Sequence, residues 1–130
     1  MICLDSDCII DFLRNKEEAV GVIQAYHEQL FTTEINVFEV FLGIYLKQHK
    51  KENEEEIAEN FFSNFDIVAF REGCGKASAL ILTGLAKTGK TIEQNDAYVA
   101  SIMASCGCRK IITRNRKHFS AIKGVEVISY

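Results

Sequence analysis

Five apolar runs of three or four residues, Ile2-Cys3-Leu4, Leu30-Phe31-Thr32, Ile67-Val68-Ala69, Lys110-Ile111-Ile112-Thr113 and Val125-Glu126-Val127-Ile128, are separated by stretches whose apolar residues recur at helical spacing. Short runs of this kind suit strands covered on both faces, and parallel neighbours need a crossover, usually a helix, between them. The alternation predicts an α/β fold: a three-layer sandwich with a central, mostly parallel sheet flanked by helices. At 130 residues the chain fits a single domain, residues 1–130, because one core typically takes roughly 100–150 residues.

Between the strands, Ile9, Ile10, Phe12 and Leu13 mark a short helix, and a second is expected from Asn15 with Val20, Ile23, His27 and Leu30 on one face. Thr33, with Asn36 also available, is the expected N-cap of a long helix reaching about Lys51. In that helix Glu39 shares a face with Ile35, Leu42 and Leu46, so a carboxylate is expected on an apolar side. Ile57, Phe61 and Phe65 trace a further helix, and Ala77, Leu80, Ile81, Gly84 and Leu85 another that stops at Gly89. The last long helix starts near Asn95, buries Val99, Ala100, Met103 and Ala104, and ends at Gly107, with Asp96 in its first turn.

Hydrophobic residues make up 48% of the chain and charged ones 25%, enough apolar material for a packed core, which excludes a disordered chain. No stretch approaches the roughly 20 apolar residues that cross a bilayer. Met1-Ile2-Cys3-Leu4 runs into Asp5 without a basic leader, so a cytoplasmic protein is expected. The five cysteines suit reduced, buried thiols, and Cys106-Gly-Cys108 lacks the second Cys/His pair of a zinc site. A net charge of −3 argues against a general nucleic-acid coat. Charge is nevertheless polarised: Glu52, Glu54, Glu55, Glu56 and Glu59 cluster mid-chain, while Arg109, Lys110, Arg114, Arg116, Lys117 and Lys123 predict a positive surface near the end.

Asp5 and Thr113 terminate two of the expected strands, Asp96 starts the helix feeding the second of them, and Glu39 points inward from its own helix. In open parallel sheets ligands bind beyond the carboxyl ends of the strands, so three acids remote in sequence converge there. Mutually repelling carboxylates persist with shifted pKa values or around a divalent cation, and oxygen ligands without a partner His or Cys favour Mg²⁺ or Mn²⁺ over zinc. Such ions suit phosphodiester hydrolysis, which needs an activated water and charge stabilisation on the phosphoryl oxygens. Each acid also has a plainer reading: Asp5 and Asp96 as helix caps, Glu39 as a partly exposed ion-pair residue.

Four blocks carry a family resemblance. Met1-Ile-Cys-Leu-Asp5-Ser-Asp7-Cys-Ile-Ile-Asp-Phe-Leu13 resembles the opening of PIN domains of the VapC toxin group, and Thr32-Thr-Glu-Ile-Asn-Val-Phe-Glu39-Val-Phe-Leu-Gly43 resembles their second acidic motif. Gly89-Lys-Thr-Ile-Glu-Gln-Asn-Asp96-Ala-Tyr-Val-Ala-Ser is similar to the third, and Ile111-Ile-Thr-Arg-Asn115-Arg-Lys-His-Phe119 to the fourth. The resemblance implies a PIN-like fold and a Mg²⁺-dependent endoribonuclease acting on RNA, commonly a toxin held by a cognate antitoxin and commonly a homodimer. It places the metal on Asp5, Glu39 and Asp96, with Asn115 as the fourth site residue. Many members carry Asp at that fourth position; Asn115 binds or orients water without adding charge, and Thr113 joins it in positioning water or phosphate. Asp7 is either a further acid behind the site or part of a local turn, and His118 is read as surface packing ahead of an acid/base role.

Three other readings fit parts of the sequence. Gly84-Leu-Ala-Lys-Thr-Gly89-Lys90-Thr91 matches the phosphate-binding loop pattern, but its upstream stripe is helical where a strand is required. Asp5-Ser-Asp7 is similar to the phosphotransfer signature of haloacid dehalogenase-like enzymes, whose later lysine and double-acid motif have no equivalent here. The third is an inactive PIN-like module that only binds protein or RNA, suggested by the neutral Asn115.

Overall fold

The computed structural model describes residues 1–49 and 51–130. Its strands are β1 (Ile2–Leu4), β2 (Leu30–Thr33), β3 (Asp66–Val68), β4 (Lys110–Ile112) and β5 (Glu126–Ile128), all paired parallel in the order β3-β2-β1-β4-β5. The expected mostly parallel sheet is thus wholly parallel among the described residues. Among the described residues seven helices connect these strands: α1 (Ser6–Leu13), α2 (Glu17–Ala25), α3 (Glu34–Leu46), α4 (Glu54–Phe62), α5 (Cys74–Lys87), α6 (Gln94–Ser105) and α7 (Arg116–Ser120).

Alternation along β1 builds the three layers. Ile2 and Leu4 face a cluster with Ile9, Val40, Ile44 and Phe61, contributed by α1, α3 and α4. Cys3 faces the opposite cluster, with Leu85, Val99, Met103 and Phe119 from α5, α6 and α7. β4 repeats the pattern through Ile112 and Ile111. Both faces being covered explains why β1 is apolar at every position. Among the described residues no helix is long and apolar enough to cross a membrane.

Strand order sets the site. The chain builds outward from β1 through β2 to β3, then returns with β4 on the other side of β1, so the direction of winding reverses between β1 and β4. At that reversal the connections leave in opposite directions and open a crevice beyond the strand ends. Asp5 follows β1 there, and Thr113 follows β4.

Several expected boundaries move. Asn15 takes the left-handed conformation (φ 57°) and closes α1, so α2 starts at Glu17 and leaves His27 and Leu30 outside it; asparagine tolerates this backbone better than most residues. α3 ends at Leu46 rather than near Lys51, with Lys47 already extended, and Lys50 lies outside the described residues. Its buried stripe is Asn36, Val40 and Ile44, whereas Leu42 and Leu46 are exposed. Apolar residues occupy nearly every side of α3, so spacing alone does not select the inward face. In α4 Ile57 is exposed while Ala58, Phe61 and Phe62 are buried, and in α6 Ser101 takes the inward place expected of Ala104. Ser101 is accommodated by a 2.8 Å hydrogen bond with Ser78 of α5.

Candidate active site

Asp5 is the most constrained acid. It caps α1 in extended conformation, its Oδ1 accepting the Ser6 amide at 2.9 Å and the Asn36 side-chain amide at 3.0 Å, while Oδ2 accepts the Thr113 hydroxyl at 2.7 Å. Each partner has its own support. Thr33 caps α3 by accepting the Asn36 backbone amide at 3.2 Å, and its hydroxyl donates to Asn36 Oδ1 at 2.7 Å, which turns the Asn36 amide hydrogens toward Asp5. Thr113 also accepts the Asn115 backbone amide at 2.9 Å and lies 3.2 Å from Asp7.

Glu39 and Asp96 reach the same crevice from opposite layers. Glu39, half-buried on α3, accepts the Ser6 hydroxyl at 3.3 Å; Asp96, in the first turn of α6, lies with Oδ2 2.7 Å from His118 Nδ1. Together with Asp5, Ser6, Asp7, Glu93 and Asn115 these groups line an open cleft of about 330 Å³. The four expected site residues Asp5, Glu39, Asp96 and Asn115 therefore share one pocket.

Five carboxylates line this cleft among the described residues, with neither Lys nor Arg on its walls. Burial, then the neighbouring Asp7 and Asp96, push the Asp5 carboxyl up to about 8, against the lowering effect of the Thr113 and Ser6 hydrogen bonds. Burial and then Asp96 raise Glu39, and burial raises Asp96 against the opposing pull of His118. Acids so crowded hold protons or a cation. No group of three or more His, Cys, Asp or Glu side chains among the described residues stands at mutual ligating distance in this conformation. The donor chemistry nonetheless fits a small hard cation: Mg²⁺ takes oxygen ligands, keeps several waters, and commonly binds one or two carboxylates directly.

His118 corrects the sequence reading. It is a wall of the cleft, not surface packing, and its Nδ1 also lies 3.0 Å from the Asn115 amide nitrogen. In the sequence Asn36 reads only as a second cap, and Ser6 and Glu93 carry no signal; what marks Asn36 is its place three residues after a strand-ending threonine. The positive surface is partly neutralised, with Lys110 bound to Glu28 and Arg114 to Asp11, each at 2.9 Å. Cys3, Cys8, Cys74 and Cys108 are buried and Cys106 half-buried, all as free thiols, and burial pushes Cys8 up to about 12. Gly84 to Lys87 form the last turn of α5, so the stretch resembling a phosphate-binding loop does not bridge a strand and a helix.

The family model described as PIN domain matches residues 2–125. The chain belongs to the PIN domain family. As a PIN domain it is similar to solved structures that it overlays along almost their full length. VapBC2 from Rickettsia felis bound to a DNA fragment from their promoter gives a TM-score of 0.86 at 21% identity, covering 100% of this chain and 99% of that one. FitAcB from Neisseria gonorrhoeae gives 0.79 at 28% identity, covering 99% and 97%. A toxin-antitoxin complex from Klebsiella pneumoniae gives 0.79 at 22% identity, covering 99% and 97%. No curated protein matches the chain in sequence.

Proposed function

We propose that this PIN domain is a cytoplasmic, divalent-metal-dependent endoribonuclease that acts as one domain and as the toxin of a toxin–antitoxin pair. The observation that carries this reading is the cleft lined by five carboxylates without Lys or Arg, at the point where the winding of the sheet reverses. A phosphodiester cannot approach such a surface unless a cation intervenes. Asp5, Glu39 and Asp96 are the residues that would hold Mg²⁺ or Mn²⁺, and the bound ion would activate water and offset charge on the phosphoryl oxygens.

The chain's own groups do the positioning. Ser6, Asn36 and Thr113 fix Asp5, so that its carboxylate has little freedom left to lose on binding. Asn115 sits on the cleft wall as a neutral amide, suited to orienting a phosphate oxygen or a water without adding to the repulsion. The likeness to toxin–antitoxin complexes supports a cognate antitoxin as partner. Phe38 and Tyr45, more than half exposed on α3, and Leu46 at 72% support a homodimer through that helix. A Phe38→Glu chain should then sediment as a lighter species than the unmodified one.

The test is cleavage of a panel of structured RNAs in Mg²⁺, with an EDTA control and Asp96→Asn beside it. Both the chelator and the substitution should lower cleavage at least about 100-fold. Cleavage undiminished in either arm would remove the assignment. A chain that binds RNA but never cuts it would favour the non-catalytic PIN-like module, the reading that Asn115 supports.

A further inference from the structure

Each of the three acids proposed to hold the ion has a donor from another part of the chain: Asp5 has Asn36 and Thr113, Glu39 has Ser6. Asp96 has one such donor, the imidazole of His118 at 2.7 Å from Oδ2. We infer that His118 is a positioning residue whose Nδ1–H locks Oδ2 of Asp96 and leaves Oδ1 to the ion. The inference rests on the metal-dependent reading above.

The carrier of the ring is well anchored. His118 lies on α7 directly before Phe119, which is fully buried in the cluster beneath the sheet, and Ile122 follows it inward. The backbone at His118 is therefore held against the core while the ring remains about a third exposed. An ionised carboxylate only accepts, so Nδ1 must carry the hydrogen. That holds for the neutral Nδ1–H tautomer and for imidazolium alike, so the contact does not depend on the charge of the ring. Asn115 approaches the same nitrogen at 3.0 Å. A single N–H cannot also accept from an amide, so the Asn115 side chain fits there with its oxygen turned toward Nδ1, as a second and weaker acceptor sharing the hydrogen directed at Asp96. His118 Nδ1 thus joins the loop after β4, through Asn115, to the start of α6, through Asp96. Donors behind ion-binding groups commonly change metal affinity by about 10–100-fold when removed.

Two isosteric substitutions separate this role from the alternatives. The side-chain amide of Asn reaches the place of Nδ1, and that of Gln the place of Nε2. Calorimetric titration of the full chain with Mn²⁺ alone should show His118→Ala binding about 10–100-fold more weakly than the unmodified protein. His118→Asn should recover most of that loss and His118→Gln should not, with melting temperatures of the apo proteins unchanged. If His118→Ala binds Mn²⁺ as the unmodified chain does, the positioning role is wrong while the nuclease reading stands. If Gln rescues and Asn does not, Nε2 is the working atom, and the inference fails in favour of direct ligation or proton transfer. An unmodified chain that neither binds Mn²⁺ nor loses cleavage in EDTA overturns the nuclease reading itself.

Discussion

Replacing Asp5 separates what this side chain does for the fold from what it does for the ion. Asp5→Ala removes the acceptor of the fully buried Asn36 amide and the cap of α1. An orphaned buried donor costs about 1–3 kcal/mol and a lost cap about 1 kcal/mol, so the variant should be about 2–4 kcal/mol less stable. That is a large part of the roughly 5–15 kcal/mol that holds a domain together, and corresponds to a fall in melting temperature on the order of 10 °C. Asp5→Asn behaves differently. Its oxygen still accepts from Ser6 and Asn36, and its new amide hydrogen faces Thr113, whose hydroxyl can accept it and redirect its own proton to Asp7 at 3.2 Å. Because burial and the neighbouring acids push the wild-type carboxyl up to about 8, its charged form is disfavoured without an ion, and the amide is a close neutral replacement. Asp5→Asn should stay within about 1 kcal/mol of the unmodified chain in EDTA, yet lose Mn²⁺ binding and RNA cleavage by at least about 100-fold. Urea unfolding in EDTA, Mn²⁺ calorimetry and RNA cleavage read the three quantities. Equal destabilisation by Asn and Ala would refute the hydrogen-bond accounting, and wild-type cleavage by Asp5→Asn would refute the role of the acid.

The raised carboxyls make stability depend on pH in a defined direction. Between the ordinary value of 3.8 and about 8 the folded chain keeps a proton on Asp5 that the unfolded chain has released, so in EDTA the melting temperature should fall as pH rises from 5 to 8. Saturating Mn²⁺ replaces that proton and should flatten or reverse the trend; a melting temperature that climbs with pH in EDTA would contradict it. Asp11 should behave in the opposite sense: burial alone would raise it, but Lys16, Tyr130 and Arg114 outweigh that and hold it below the ordinary range. Asp11→Asn is expected to cost about 1–2 kcal/mol in urea unfolding, a figure kept low because Lys16 and Arg114 are about half exposed and rehydrate readily. No loss at all would show that the cluster joining α1, the β4–α7 loop and Tyr130 is ornamental to stability.

What was legible in the sequence was what is anomalous there. An acid at the end of an apolar run, or inside an apolar helix, is anomalous, so Asp5 and Glu39 stood out; Asp96, ordinary in a first helical turn, was marked by the strand its helix feeds and by the third block of the resemblance, and the alternation of short strands with helical stripes located the ends at which they meet. The inward face of α3 did not stand out, because apolar residues surround that helix and the choice is made by Asn36, whose amide is drawn to Asp5 across 31 positions of sequence. His118 was hidden for a related reason: a histidine in a charged segment is ordinary, and only the return of α7 against α6 brings it to Asp96.

Of the donors to Asp5, Asn36 was hidden because a cap position already accounted for it, and Ser6 because a serine after a strand-ending acid is ordinary. In the folded chain the caps and the site are one set of bonds. Thr33 caps α3, and the same hydroxyl orients Asn36; Asn36 holds Asp5; Asp5 in turn caps α1 while Thr113 secures its other oxygen. Capping α1 and the proposed ion binding are therefore not alternatives for Asp5. A residue that terminates a strand and starts a helix at the reversal of a parallel sheet is already fixed in conformation and aimed at the crevice. A carboxylate there needs only neutral donors behind it to be poised as one of a set of ligands.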